Sequence, residues 1–282
     1  MKIIYNDGRV AECPEEEELE VLRHSAAHIM AQAVKRLYPD AHFAYGPATE
    51  KGFHYDIDMG DVKLTEEDLP PIEAEMQKIV KENLPFKVYP LPRDEAVQLM
   101  KDRGEIYKVE HIGDLAEDAV ITFYQQGDYI DMCVGPHLTY TKALKAFKLT
   151  ALSGAYWKND QKNKMLTRLN GVAFRNQDEL KAWEIQQEEA KARDHRRIGR
   201  DMQLFMTDDL IGKGLPMFLP KGYTIWMELE NYIKNKERML GYQHVMTPCV
   251  GTVDLYRTSG HWDHYKENMF PAMEVEGNMF SL

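Results

Sequence analysis

The apolar positions change period several times along the chain, and each change predicts an element. KIIYNDGRVAEC, residues 2–13, alternates around Asn6-Asp7-Gly8, which predicts a hairpin. From about Leu19 to Tyr38 the period becomes helical, with Leu22, Ala26, Ile29, Ala33 and Leu37 on one stripe. The acidic run Glu15 to Glu18 favours the positive end of this helix, and Pro39 ends it. AHFAYGPATEKGFHYDIDM returns to alternation on either side of a Gly/Pro turn, as paired strands do. Thr65-Glu66-Glu67-Asp68 has the form of a capping box, and Ile72, Met76 and Ile79 carry a helix toward Asn83.

A proline-punctuated strand, PFKVYPLP, then leads to a helix over Arg93 to Arg103. IYKVEHI, AVITFYQ, YIDMCV and the stretch around Ala155-Tyr156-Trp157 read as short strands. From Gln177 to Arg200 the pattern is a charged helix with little apolar face, carrying pairs such as Glu189 and Arg193. Such helices bridge domains, so a boundary is expected near residue 190. Beyond it come the turns of IGKGLPMFLPKG, a long helix from about Tyr223 to Leu240 stopped by Gly241, and a strand at YQHVM. Strands mixed with separate helices, rather than strictly alternating with them, predict the α+β class.

Composition narrows the classes. A chain of 282 residues allows two domains at ~100–200 residues each, and 44% hydrophobic residues exclude a largely disordered chain. The formal charge of −11 excludes a uniform coat for nucleic acid but not a local basic surface. Residues 141–170 hold Lys142, Lys145, Lys148, Lys158, Lys162, Lys164 and Arg168 against Asp160 alone, a net +6. With Tyr156 and Trp157 among them, Lys158, Lys162, Lys164 and Arg168 are candidates to grip RNA backbone, as are Arg196 and Arg197 in a second basic cluster. The alternative is a solvated charged face. Cys13, Cys133 and Cys249 are far apart and odd in number, which suits a reducing cytosol. No stretch approaches the ~18 apolar residues of a membrane span, and the amino terminus lacks a signal peptide, so a cytoplasmic protein without a membrane partner is expected.

The candidate chemistry lies in two short stretches. In HSAAHIM, His24 and His28 are four apart on the first helix and share a face with Val21 and Ala31. In DMCVGPH, Cys133 and His137 repeat the spacing, but Gly135-Pro136 forbids a helix interior and implies a strand followed by a turn, with both side chains aimed outward from a sheet edge. Three imidazoles and a thiol suit a tetrahedral zinc site. They equally suit a hydrolytic pocket in which imidazoles bind or activate water, and either pair alone could simply be core. Spacing does not decide. Asp131, two residues before Cys133, falls on the same strand face and could orient an imidazole.

These stretches, with GPATEKGFHYDID, LSGAYWKNDQKNKMLTRLNGVAF, EEAKARDHRRIGRDMQLF and the run from GLPMFLPKG through SGHWDHYKENMFP, resemble the threonyl-tRNA synthetase family over nearly the whole chain. The first half alone is also similar to alanyl-tRNA editing proteins. The resemblance implies residues 1–13 as a hairpin remnant of an amino-terminal domain and residues 14–190 as an editing domain ending in a linker helix. Residues 191–282 would begin the antiparallel-sheet catalytic domain of a class II synthetase. Editing would hydrolyse serine esterified to threonine tRNA, a remedy needed because one missing methyl gives only ~10–200-fold discrimination. The implied catalytic positions are His24, His28, Cys133, His137, Lys108 and Asp131, with Tyr55 binding substrate.

No metal is expected for editing; if one is held, its ligands would be His24, His28, Cys133 and His137. A full-length enzyme of the family implies ATP with Mg2+, a Zn2+ whose ligands fall beyond residue 282, threonine, tRNA and a homodimer. The helix over Tyr223 to Leu240, with Val245 and Pro248, resembles the first class signature, a dimer element. The remaining signatures would lie past Leu282, so this chain is not expected to form threonyl-adenylate. The competing readings are a freestanding deacylase that edits in trans and a zinc-stabilised RNA-binding module.

Overall fold

One helix organises the first part of the chain. In the computed structural model, which describes all 282 residues, α1 (Glu18–Leu37) is buried at every position from Val21 to Val34 except His24. The expected stripe is there, but it is not the only buried face; of its members only Leu37 is exposed. Ala26, Ala27, Ala31 and Ala33 are fully buried, and side chains this small let neighbouring backbone come close on several sides.

The chain divides into two compact units, Met1–Ala192 and Arg193–Leu282. Around α1, the first unit opens with β1 (Lys2–Ile4) and β2 (Val10–Glu12), then β3 (His42–Phe43), β4 (Ala48–Thr49) and β5 (Gly52–Asp58). Next come α2 (Leu69–Glu82), β6 (Phe86–Leu91), α3 (Arg93–Asp102), α4 (Ile106–Asp114), β7 (Ile121–Gln126) and β8 (Tyr129–Met132). β9 (His137–Leu138), β10 (Ala146–Tyr156), β11 (Met165–Phe174) and α5 (Gln177–Ala192) complete it. The pairings are antiparallel, in three sheets ordered β2-β1-β9, β6-β7-β8 and β10-β11-β5-β3, with β4 also on β5. This is an α+β fold. α1 packs on β5, β11, β4, β9 and α2, so it joins the large sheet to the small one that carries β9.

Local signals account for several boundaries. The capping box at Thr65–Asp68 forms, and Asn83 ends α2 in the left-handed region at φ 54°. Ile72, Met76 and Ile79 are fully buried, as their spacing requires.

Three expectations are corrected. IYKVEHI is not a strand but α4, whose Tyr107, Lys108 and Ile112 are buried while Ile106 is exposed. Its β-branched composition favours a strand, but packing against α3 and β3 overrides that preference. The charged helix is not continuous: α5 stops at Ala192 and Asp194 caps a new helix by accepting the Arg196 backbone N–H. α5 also has more apolar contact than its composition suggests, with Leu180 buried and Trp183 against Phe174. YQHVM forms no strand, and its Tyr242, Val245 and Met246 are exposed.

The second unit contains α6 (His195–Asp201), β12 (Phe205–Met206), β13 (Met217–Phe218), α7 (Pro220–Met239), β14 (Gly251–Thr252), α8 (Val253–Thr258), α9 (His261–Tyr265), β15 (Met273–Val275) and β16 (Asn278–Ser281). Its strands form an antiparallel β12-β13 pair and a β14-β16-β15 sheet. On α7, Tyr223, Trp226, Leu229, Tyr232 and Ile233 are each at least 50% exposed. No helix of the chain is long and apolar enough to cross a membrane.

Candidate active site

The two histidine-bearing stretches meet. His24 and His28 project from one side of α1, their ring centroids 5.4 Å apart. Cys133 follows β8, and its backbone N–H donates to the Thr122 carbonyl at 3.1 Å. The turn through Gly135 and a cis Pro136 leads to His137 on β9. Cys133 Sγ lies 3.1 Å from His24 Nε2 and 3.3 Å from His137 Nε2. The His137 ring lies 4.3 Å from that of His24 and 4.1 Å from that of His28.

His137 does not point outward. It is fully buried, stacked on Phe86 at 5.2 Å, because β1 pairs with β9 and covers what would otherwise be a sheet edge. Cys133 is half-buried.

Gly135 makes this turn possible. Its φ is +49°, and a Cβ there would sit 2.1 Å from the Tyr124 hydroxyl, which itself donates to Asn6 Oδ1 at 2.8 Å. Gly135→Ala should therefore destabilise the first unit by about 1–3 kcal/mol. A urea midpoint unchanged from wild type would show that the turn tolerates a side chain.

A second polar cluster adjoins the first. Asp131 on β8 is 3% exposed and Lys108 on α4 is 5% exposed, and Lys108 Nζ lies 2.7 Å from Asp131 Oδ1. The Tyr55 hydroxyl donates to Asp131 Oδ2, Lys108 Nζ donates to the Tyr55 oxygen at 3.0 Å, and the Tyr129 hydroxyl reaches Oδ2 at 3.4 Å. His28 Nε2 stands 3.8 Å from the same carboxylate, too far for a hydrogen bond, and its Nδ1 has no partner.

Burial sets the charge states. Desolvation lowers His24 to a pKa of about 4 and His28 to about 3, against the opposing pull of Asp131. It lowers His137 as well, so all three imidazoles are neutral at pH 7. Burial pushes the Cys133 thiol up to about 12. Burial would also raise Asp131, but the ammonium of Lys108 and the hydrogen bonds around it hold the carboxyl below its ordinary value. The result is a charged pair beside uncharged bases.

These groups border a cavity of about 470 Å³. His24, His28, Cys133, Tyr55, Lys108 and Asp131 line it, while His137 sits behind Cys133 and does not. The opposite wall includes Trp157, with Tyr45 stacked on it at 4.9 Å. Sequence reasoning missed Tyr45 and Tyr129, whose roles depend on tertiary neighbours that no local pattern displays. Ser25 was also missed; a fully buried polar residue inside an alanine-rich helix was its available signal.

The basic candidates lie near the cavity but are mostly paired. Lys158 binds Glu110 at 2.7 Å and Asp114 at 2.6 Å, Lys164 binds Asp58 at 2.7 Å, and Arg168 grips Asp56 through two nitrogens at 2.7 and 2.9 Å. Only Lys158 and Arg168 of the six line the cavity. Lys162 is exposed in the turn between β10 and β11. In the second unit Arg196 pairs with Asp194 at 2.7 Å, and Arg197 is exposed on α6. The net +6 of residues 141–170 is thus partly offset in the fold, by carboxylates from β5 and α4 and, at Lys148, by Glu184 of α5.

By atom type the four donors could hold a cation, since the nitrogens and sulfur that would bind it lie within 4.8 Å of one another. Zinc needs a thiolate and bare imidazole nitrogens. Burial keeps the Cys133 thiol protonated, a proton that zinc binding would release, and His137 Nε2 faces that sulfur.

Residues 121–170, from β7 into β11, match the family described as the threonyl and alanyl tRNA synthetase second additional domain. The chain therefore carries a domain of the aminoacyl-tRNA synthetase class. It is 50% identical to the threonine–tRNA ligase of Anoxybacillus flavithermus over 281 residues, 99% of this chain and 44% of that protein. The enzyme of Enterococcus faecalis is 50% identical over 268 residues, 95% of this chain and 41% of the relative. The chain belongs to the threonyl-tRNA synthetase family, and it spans less than half the length of these relatives. A solved RNA binding domain of threonyl-tRNA synthetase from Cryptosporidium parvum Iowa II is 39% identical over 32% of this chain and 22% of that one; its TM-score is 0.31.

Proposed function

We propose that the first unit hydrolyses the seryl ester on threonine tRNA and spares the threonyl ester. The observation that carries this reading is the convergence of His24, His28 and Cys133 on one cavity of about 470 Å³, a size suited to a small ligand, with imidazoles held neutral at pH 7. A neutral imidazole can accept a proton from water, whereas a protonated one cannot. His28, whose ring lines the cavity, positions the attacking water, and His24 with Cys133 faces the ester end of the substrate. Lys108 and Asp131 fix the floor, with Tyr55 against the amino acid. The extra methyl of threonine collides with this floor or displaces the water.

Under this reading residues 14–190 form the editing domain and residues 191–282 begin the ligase domain. Longer chains of the family would supply ATP with Mg2+, a zinc site and threonine activation. The exposed apolar side of α7 fits a surface covered by more chain or by a second copy, as a dimer would provide. Trp157, Lys158 and Arg168 at the cavity rim are placed to meet the end of the tRNA.

The test is deacylation of labelled seryl- and threonyl-tRNA by this chain and by residues 1–192, with and without a chelator. His28→Ala should lower seryl-ester hydrolysis about 10²-fold and change stability much less. Equal hydrolysis of both esters, or full activity in the variant, defeats the proposal. Activity lost on chelation would instead favour a metal-dependent site.

A further inference from the structure

The hydrogen bonds behind Cys133 have a direction. Ser25 is fully buried on α1, and its Oγ accepts the backbone N–H of Leu138 at 3.0 Å. The hydroxyl proton still needs an acceptor, and His137 Nδ1, at 3.2 Å, is the one within reach. Helical serines often donate to the carbonyl four residues back, but Ser25 makes no such bond.

We infer that Ser25 holds His137 as its Nε2–H tautomer, so that His137 donates a proton toward Cys133. The opposite tautomer would direct Nδ1–H at the Ser25 oxygen and leave the hydroxyl proton buried without a partner. That loss favours the Nε2–H form by roughly tenfold or more.

The rest of the chain follows by counting. His137 Nε2–H points at Cys133 Sγ (3.3 Å), which also receives the Gly135 backbone N–H at 3.3 Å. With two donors aimed at the sulfur, the thiol proton goes to His24 Nε2 at 3.1 Å. Protons are therefore ordered from Leu138 through Ser25, His137 and Cys133 to His24, which opens on the cavity. A four-ligand zinc site needs this order broken at two points: His137 must shed its Nε2 proton and Cys133 its thiol proton. Ser25 is a positioning residue, since it acts through His137 and touches no reacting atom. Its effect on hydrolysis rests on the deacylation reading, whereas the tautomer does not.

Long-range proton–nitrogen correlation spectra of the chain labelled with 15N-histidine test this at pH 7, with His137 assigned from a His137→Gln control. The expected result is His137 protonated at Nε2 in about nine molecules of ten or more. Ser25→Ala should mix the tautomers and lower seryl-ester hydrolysis about tenfold, the order seen when a partner behind a working group is removed. A wild-type Nδ1–H form or an unchanged tautomer in Ser25→Ala overturns the inference. The expected spectra from a wild-type chain that does not deacylate would uphold the tautomer and defeat the deacylation reading instead.

Discussion

Replacing Lys108 with methionine should destabilise the first unit by roughly 3–5 kcal/mol, because it leaves a buried carboxylate without its cation. Methionine keeps most of the length and apolar surface of the stem, so lost packing contributes little. What remains is Asp131, 3% exposed, facing the hydroxyls of Tyr55 and Tyr129 and, at 3.8 Å, the neutral ring of His28. The pair is charged at neutral pH. Asp131 titrates below its ordinary value of 3.8, so its contribution is complete above that value and is lost only as pH falls through the lower, folded one. Adding Asp131→Asn to Lys108→Met should recover most of the loss, since the orphaned charge is then gone. Urea midpoints at pH 7 for the four members of this cycle make the comparison. A single variant within about 1 kcal/mol of wild type would mean that water reaches the carboxylate.

Acid should weaken the first unit well before its carboxylates titrate. His24, His28 and His137 each have a folded pKa below the ordinary 6.5, to about 4 and about 3 for the first two, because burial disfavours the imidazolium. Below pH 6.5 the unfolded chain takes up protons that the folded chain refuses. Stability is therefore complete above pH 6.5 and falls as pH drops toward the folded values. Where all three are protonated only in the unfolded state, the slope is roughly 4 kcal/mol per pH unit. Urea midpoints at pH 7.5, 6, 5 and 4.5 should show this fall, and His24→Gln should reduce the slope by about a third. A flat profile from pH 7 to 5 would show that the cluster is hydrated or already charged when folded.

The elements that repeat a period over many residues were legible in the sequence. α1, α2 and α7 follow from stripes, caps and stops, and β5, β7 and β8 from alternation. IYKVEHI failed because nine helical residues hold little more than two turns, too few for period to outweigh β-branched composition. In the site, the four-residue spacings marked His24, His28, Cys133 and His137, which the structure brings together. Their surroundings were not legible. Lys108 and Asp131 come from a helix and a strand with β7 between them, and only the fold makes them partners. The burial of His137 depends on β1, more than 130 residues earlier in the chain, laying an edge over β9. Charge counting over residues 141–170 could not show which cations are paired, for the same reason, since Asp56, Asp58, Glu110 and Asp114 lie outside that window.

α1 is at once the spine of the first unit and one wall of its cavity. A change of volume at Ala27, Ala31 or Ser25 disturbs packing on several sides, so that wall has almost no freedom to be remodelled. Other lining residues are different: Val120 and Val134 are more than 70% exposed and Tyr156 is 40% exposed, at strand ends and turns where a larger or smaller side chain displaces only water. Any drift in which ligand the pocket accepts would therefore be written in Val120, Val134 and Tyr156, while the histidine wall stays as it is.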